Sequence, residues 1–312
     1  MSKEFVYFSG DYDLPDNFID LDNGTIPAAF LIDSNSLYGD GTFEGIRIYN
    51  GRIFKLHEHL DRLWNSASSL QIKMPCTKKE MAATLCELGH RNEIRGTGYI
   101  RLVVTRGRRL DLGINTRKVN RATVFIIARE LQLYPKEFYE KGLSVITARV
   151  RRTPKNCVDP NVKTCNYINN IMAVIEANAA EVPEVIMLTT EGVVCECSAD
   201  NIFIVKDGLV ITPPEENILV GVTRNTILSL CKRLKIPATE ENFGPEAVHN
   251  ADEVFLTGSG AEVAPIVEVD KRRIADGRPG PVTRRLMAAF RTEVENPAKS
   301  VAISVAISDR GE

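Results

Sequence analysis

Lys163 stands in VDPNVKTCNYINNIM, after a turn-forming Asp-Pro-Asn and just before a strongly apolar helical pattern. One reading is a surface lysine that lays its stem along apolar surface and keeps its charge in water, since lysine is almost never fully buried unpaired. The other is an amine whose pKa is lowered by desolvation and by the start of a helix, the state that Schiff-base chemistry needs. Position alone leaves both open. Glu196 poses a similar choice in VVCECS, where strand alternation sets Val194, Glu196 and Ser198 on one face and Val193, Cys195 and Cys197 on the other. Glutamate is depleted in strands and a buried carboxylate needs a partner. That partner is either an internal salt bridge or the cationic ring nitrogen of a bound cofactor.

Two segments could hold an anion. In LVGVTRNTILSL, Thr223 follows a glycine at a helix start, where free N–H groups, the helix dipole and a hydroxyl converge. In TGSGAEV, the glycines let successive backbone N–H groups form a concave nest, and Ser259 adds a hydroxyl. Taken singly, each is also an ordinary cap or turn. Arg62, beside an apolar helix face, offers the fixed positive charge that a phosphate wants. In YIRLVVT, alternation puts Tyr99, Arg101, Val103 and Thr105 on one face, so Arg101 points to core or cleft. A buried guanidinium demands an anion, either an internal carboxylate or that of a substrate.

The elements that must position these residues read as two units. Residues 1–130 form an α/β unit with strand candidates FVYF, AAFLID and GIRIYNGRIFKL, the last carrying an Asn-Gly hairpin turn at 50 and 51. From Leu56 the apolar positions Leu56, Leu60, Leu63, Ala67 and Leu70 mark an amphipathic helix, with Arg62 off the stripe. A second helix covers 78–90, and YIRLVVTRG and ATVFIIARE are strands around the loop RGRRLDLGINTRKVN. Residues 131–142, LQLYPKEFYEKG, read as a linker. The second unit, 143–296, reads as LSVITARVRR, an apolar helix through Ile168, Ile171, Met172, Ile175 and Ala179, and a meander with Glu-Gly and Asp-Gly turns. A helix from Thr223 and a strand EVFLT complete it, and residues 297–312 are expected to be a peripheral tail with a brief VAIS echo.

Composition narrows the partners. The 312 residues match about two domains at roughly 150 residues each. A net charge of -2 leaves no global basic field for nucleic acid or an anionic membrane. No apolar run is long enough to span a bilayer and no signal-peptide core precedes the first acidic residues, so a soluble cytoplasmic protein is expected. The seven cysteines are odd in number and without paired CxxC motifs, which points to reduced, mostly buried thiols. Cys195-Glu-Cys197 and His57-Glu-His59 fall short of a four-ligand zinc pattern, and no metal is expected.

Together these residues resemble the class IV, or fold type IV, pyridoxal-phosphate aminotransferases, and in particular their branched-chain amino acid members. The resemblance runs through LYGDGTFEGIR, HLDRLWNSA, YIRLVVTRG, DPNVKTCNYINNIMAVIEAN, TEGVVCECSADNIFIVK, ILVGVTRNTI and TGSGAEVAP, nearly the whole chain. Single blocks are weak; their family order is strong. It implies a two-domain α/β (α+β type) fold, D-amino acid aminotransferase-like, with pyridoxal 5'-phosphate at the domain interface. It makes Lys163 the lysine bonded to the cofactor, Glu196 the carboxylate on the ring nitrogen and Tyr167 the partner of the ring hydroxyl. The phosphate is expected at Arg62, Val222, Thr223 and Ser259. Lys163, once released by the substrate amine, would move the proton at Cα.

For the substrate, the resemblance implies a pocket of Tyr38, Phe43, Tyr99 and Arg101, with the α-carboxylate on the N–H groups of Gly260 and Ala261. A branched aliphatic chain would lie on the aromatic walls, and glutamate would offer its second carboxylate to Arg101. Tyr38 and the loop 106–113 are expected to reach a neighbouring subunit's site, so a homodimer is the smallest active unit implied. Cys197, where many relatives have glycine, and Ser259, where threonine is frequent, depart from the pattern without removing a required group. The leading expectation is exchange of amino groups between Leu, Ile or Val and 2-oxoglutarate. D-Amino acid aminotransferase, aminodeoxychorismate lyase and a non-enzymatic relative are the alternatives. An Arg-x-His arrangement that marks the D-specific enzymes is missing from the Tyr99 strand.

Overall fold

A computed structural model describes residues 4–11, 17–20, 28–130 and 135–303. Two compact units result, one from Met1–Gln132, Val162–Asn166 and Val294–Glu312, the other from Leu133–Asn161 and Tyr167–Glu293.

The first unit contains strands β1 (Phe5–Ser9), β2 (Phe18–Asp20), β3 (Gly41–Tyr49), β4 (Arg52–Phe54), β5 (Gly98–Thr105) and β6 (Thr123–Glu130), with helices α1 (Ser34–Tyr38), α2 (Leu56–Ser69) and α3 (Lys78–Arg91). Its sheet runs β4-β3-β5-β6-β1-β2, every pairing antiparallel, and a last strand, Ser300–Ala302, extends the β4 edge. The Asn50-Gly51 turn has φ of 50° and 67°, the left-handed pair that a tight hairpin needs. Ile46, Ile48, Ile100, Leu102 and Ile126 of the sheet pack with Leu56, Leu60 and Leu63 of α2 and with Met81 and Leu85 of α3. A reciprocal capping box between Thr77 and Glu80 starts α3.

Several expectations need correction. AAFLID is not a strand: Ala28–Ile32 is a 3-10 turn, and Asp33 caps α1 by accepting from the Asn35 N–H. Local capping by a buried aspartate overrides the apolar run. Within the expected linker, Lys136–Lys141 forms helix α4, which sets Phe138 and Tyr139 against the second core. The start of the expected tail is a paired strand, because Ser300–Ala302 satisfies the backbone groups of β4. Residues 131–134 of that linker and the repeat of VAIS lie outside the described residues.

The second unit continues with β7 (Leu143–Arg151), α5 (Ile168–Ala179), β8 (Glu184–Leu188), β9 (Val194–Cys197), β10 (Asn201–Lys206), β11 (Leu209–Thr212), α6 (Val222–Leu234), β12 (Ala238–Glu240), α7 (Pro245–His249), β13 (Glu253–Gly258), β14 (Glu262–Val269), β15 (Arg272–Arg273) and α8 (Pro281–Val294). The sheet order is β12-β11-β10-β13-β14-β7-β8-β9, with β15 on β14. It is mixed, because β7 is parallel to both β8 and β14. The Glu-Gly and Asp-Gly turns do join antiparallel pairs, β8 with β9 and β10 with β11. The meander breaks between β9 and β10, where Ser198–Asp200 turns the chain.

Helix α5 departs most from its pattern. Its apolar stripe faces solvent in the single chain, with Ile168, Ile171, Met172 and Ile175 at 60%, 50%, 44% and 52% exposure. Asn170, Ala173 and Ala177 are the residues it buries. The small side chains let it lie close to the sheet, while the large ones project away.

Candidate functional site

In the first unit, the segment Val162–Asn166 lies on β3, so Lys163 belongs there and not with the second unit as the sequence suggested. The reason is backbone pairing. Phe43 N–H and Thr42 Oγ1 both donate to the Lys163 carbonyl, at 3.1 and 2.8 Å. The Cys165 N–H donates to Gly41 at 2.8 Å, and the Lys163 N–H donates to Ser66 Oγ of α2 at 3.1 Å. The lysine therefore stands on a fixed base.

Its Nζ lies 4.3 Å from the centroid of the Phe43 ring, and Arg101 Cζ lies 4.4 Å from the same ring and 5.8 Å from that of Tyr99. One aromatic face system thus serves two cations. Among the described residues no carboxylate forms an ion pair with Arg101, so the internal-carboxylate alternative is not met. Tyr99 reaches over β3, and a Cβ on Gly45 would lie 1.9 Å from its hydroxyl. Gly45, which sequence reasoning passed over, is what admits Tyr99.

Arg62 is less simple than expected. Its Nε and Nη2 bond the two oxygens of Glu44 at 2.7 and 2.8 Å, and His59 Nδ1 meets Glu44 Oε2 at 2.8 Å. Glu44 has no exposed surface. Burial alone would raise its carboxyl, but Arg62 and His59 outweigh burial and hold it well below the usual carboxylate range. Burial lowers His59 in spite of Glu44, with Arg62 and Lys163 adding to the effect, so its imidazole is held neutral. Neither Glu44 nor this role for His59 was anticipated. The signal was present: alternation sets Glu44 on the same face as Ile46 and Ile48, and His59 and Arg62 are one helical turn apart.

Tyr38 is half-exposed and its hydroxyl donates to the Leu112 carbonyl. Arg109, almost fully buried, lies 5.8 Å from the Tyr38 ring and donates to the Asn115 carbonyl at 2.9 Å. Arg106 bonds both oxygens of Asp40, at 2.6 and 2.9 Å. The loop is pinned at its base, and Leu110, Leu112 and Ile114 are exposed.

In the second unit both oxygens of Glu196 are engaged. Arg152 Nε donates to Oε1 at 2.6 Å and the Leu219 N–H donates to Oε2 at 3.0 Å. The salt bridge considered for Glu196 therefore exists, and Arg152, just past the end of β7, was missed. Each carboxylate oxygen has two lone pairs, so the pair leaves acceptor capacity. Tyr167 occupies the position before α5.

Helix α6 starts at Val222 after Gly221, with no side-chain cap on its first N–H groups, and Thr223 sits buried in that first turn. Ser259, Gly260 and Ala261 form the turn of the β13–β14 hairpin. The glycines there act differently from the expected nest, because neither Gly258 nor Gly260 has a positive φ; Glu262 does, at 59°. Gly258 is required by close approach, since a Cβ would lie 1.7 Å from Asp200 Oδ1.

The first unit thus gathers Lys163, Phe43, Tyr99, Arg101 and Arg62. The second gathers Glu196, Val222 and Thr223 around Leu219, with Ser259–Ala261 at a hairpin turn. Residues 41–269 match the family model described as amino-transferase class IV. The chain belongs to this family. Among relatives of this class IV aminotransferase is a Methanocaldococcus jannaschii protein provisionally named a branched-chain-amino-acid aminotransferase, 44% identical over 84% of this chain and 89% of that one. A D-alanine aminotransferase of Listeria monocytogenes is 34% identical over 82% of this chain and 88% of the relative. The crystal structure of a T.th. branched-chain amino acid aminotransferase with pyridoxamine 5'-phosphate is similar at a TM-score of 0.89. It is 30% identical, with 96% of this chain and 99% of that chain covered.

Proposed function

We propose that this aminotransferase exchanges amino groups between L-leucine, L-isoleucine or L-valine and 2-oxoglutarate in two alternating half-reactions, with pyridoxal 5'-phosphate as its cofactor. The observation that carries the reading is the group of Phe43, Tyr99 and Arg101. Aromatic faces suit a branched aliphatic chain, and a guanidinium that pairs with no carboxylate among the described residues suits the second carboxylate of glutamate.

The residues fit the cofactor. A thirteen-residue helix, α6, that begins without a side-chain cap presents the N–H groups and dipole a phosphate takes up. We assign Val222, Thr223, Ser259 and Arg62 to the phosphate, Tyr167 to the ring hydroxyl and Glu196 to the ring nitrogen. When bound, pyridoxal phosphate withdraws electrons from the substrate Cα through its protonated ring. Glu196, whose Oε1 accepts from Arg152 Nε, would face the ring nitrogen and hold its proton. Lys163, its backbone held by Phe43, Thr42 and Ser66, would hold the cofactor and, once released, would carry the proton at the substrate Cα. The N–H groups of Gly260 and Ala261 take the α-carboxylate.

A panel of L- and D-amino donors with 2-oxoglutarate tests the substrate. Turnover of L-leucine, L-isoleucine and L-valine is expected, and turnover of D-forms alone would refute it. The D-alanine aminotransferase among the relatives favours the second reading, D-amino acid transfer, against the Tyr99-x-Arg101 pair.

The chain is also proposed to act as a homodimer. The exposed surface of α5 carries five large apolar side chains, Ile168, Ile171, Met172, Val174 and Ile175, and the one charged residue of that helix, Glu176, is turned to the N–H groups of Arg149 and Val150 at 2.7 and 3.0 Å. Charge-free apolar faces of this kind are what interface cores contain. Sedimentation of the active enzyme should give twice the 34.7 kDa chain mass or a multiple of that. A fully active monomer would contradict it. Among the described residues no helix is long and apolar enough to cross a membrane, and all seven cysteines are unpaired. A cytoplasmic location is proposed on the free thiols, and recovery of the enzyme in a membrane or secreted fraction would refute it.

A further inference from the structure

We infer that Asn201 is the positioning residue of the phosphate-binding turn, a role that rests on the cofactor reading above. Asn201 is buried at the start of β10. Its Nδ2 donates to the Leu219 carbonyl at 2.9 Å, and its Oδ1 lies against the backbone of Gly221, where a Cβ would sit 2.1 Å away. The N–H of the same Leu219 donates to Glu196 Oε2 at 3.0 Å, and the Val220 N–H reaches Asn161 Oδ1 at 3.3 Å. The approach to α6 is thus held from both sides of Leu219. Glu196 grips its N–H and Asn201 its carbonyl.

The neighbouring residue repeats the device. Asp200 Oδ1 lies where a Cβ of Gly258 would be, and Asn201 is paired in register with Thr257. Consecutive side chains therefore fit against the two glycines that precede the phosphate candidates, Gly221 before Val222 and Thr223, and Gly258 before Ser259. A glycine-containing approach is free to wander. A donor on the carbonyl of Leu219 and an oxygen packed on Gly221 remove that freedom, so the first N–H groups of α6 are aimed before the anion arrives. Only an amide meets both demands, because a carboxylate at 201 would have no proton for the carbonyl and would add negative charge beside a phosphate.

The test uses the cofactor-depleted full-length chain, titrated with pyridoxal 5'-phosphate and with pyridoxal, which lacks the phosphate. For Asn201→Ala and Asn201→Asp, the dissociation constant of the phosphorylated form should rise about tenfold or more, the scale of one positioning hydrogen bond to a charged ligand site. Binding of pyridoxal should change less than about twofold. Equal weakening of both ligands, or no change in either, overturns the inference. Gly221→Ala displaces Asn201 and should weaken phosphate-dependent binding alone. Combined with Asn201→Ala it should add far less than it costs singly, and additive effects count against the role. Should Asn201→Ala not fold, the Gly221→Ala arm decides. If the wild-type chain itself shows no preference for the phosphorylated ligand, the cofactor reading fails, which is a different result from a wild-type preference that survives in Asn201→Ala.

Discussion

Replacement of Lys163 by alanine is expected to lower kcat for L-leucine and 2-oxoglutarate by about 10⁴-fold or more, with the melting temperature nearly unchanged. A positioned proton carrier alone contributes about 10²- to 10⁴-fold. Loss of the covalent hold on the cofactor adds to that. The fold should tolerate the change because the bonds that seat this residue come from its backbone: the carbonyl accepts from Phe43 N–H and Thr42 Oγ1, and the N–H donates to Ser66. The side chain contributes its amine above the Phe43 ring. Steady-state kinetics on the purified variant checks this, and turnover above about one hundredth of wild type would contradict the assignment.

The second large effect concerns stability. Glu44→Ala leaves the Arg62 guanidinium and the His59 imidazole without the carboxylate that both of them bond, in a site with no exposed surface on Glu44. Breaking a buried pair by removing one partner costs on the order of 3–5 kcal/mol. Chemical denaturation should show a loss of that size; a loss below about 1 kcal/mol, typical of an exposed pair, would refute the account.

The same cluster sets a pH dependence. His59 is lowered from its ordinary 6.5, so the unfolded chain takes up this proton first and stability begins to decline as pH falls below 6.5. Glu44 is lowered from 4.5, so its contribution is present above 4.5 and is lost as pH falls further. In His59→Gln, which keeps a donor for Glu44 without titrating, the decline just below pH 6.5 should flatten. An unchanged profile would mean that His59 is not the titrating group.

Much of the site was legible in the sequence because its residues violate local preference. A glutamate between two cysteines in a strand and an arginine in YIRLVVT both stand out against propensity alone. What stayed hidden depends on pairing across long sequence distance. Arg152 reaches Glu196 from 44 residues away, and Ser66 meets Lys163 across 97 residues. No local pattern encodes either. Lys163 was assigned to the wrong unit for the same reason, since Val162–Asn166 is joined to β3 by hydrogen bonds to Gly41, Thr42 and Phe43, more than 110 positions earlier in the chain. The α5 stripe was read correctly as helical, but periodicity says which residues share a face, not whether that face is covered by the same chain. AAFLID shows the converse, where the capping aspartate that ends the run carried more information than the run itself.

On the proposed function, Lys163 forms the covalent bond to the cofactor. Borohydride reduction of the purified holoenzyme, followed by proteolysis and mass spectrometry, tests it most directly. The pyridoxyl group should be found on the peptide that contains Lys163 and on no other lysine; an adduct elsewhere, or none at all, would contradict the account.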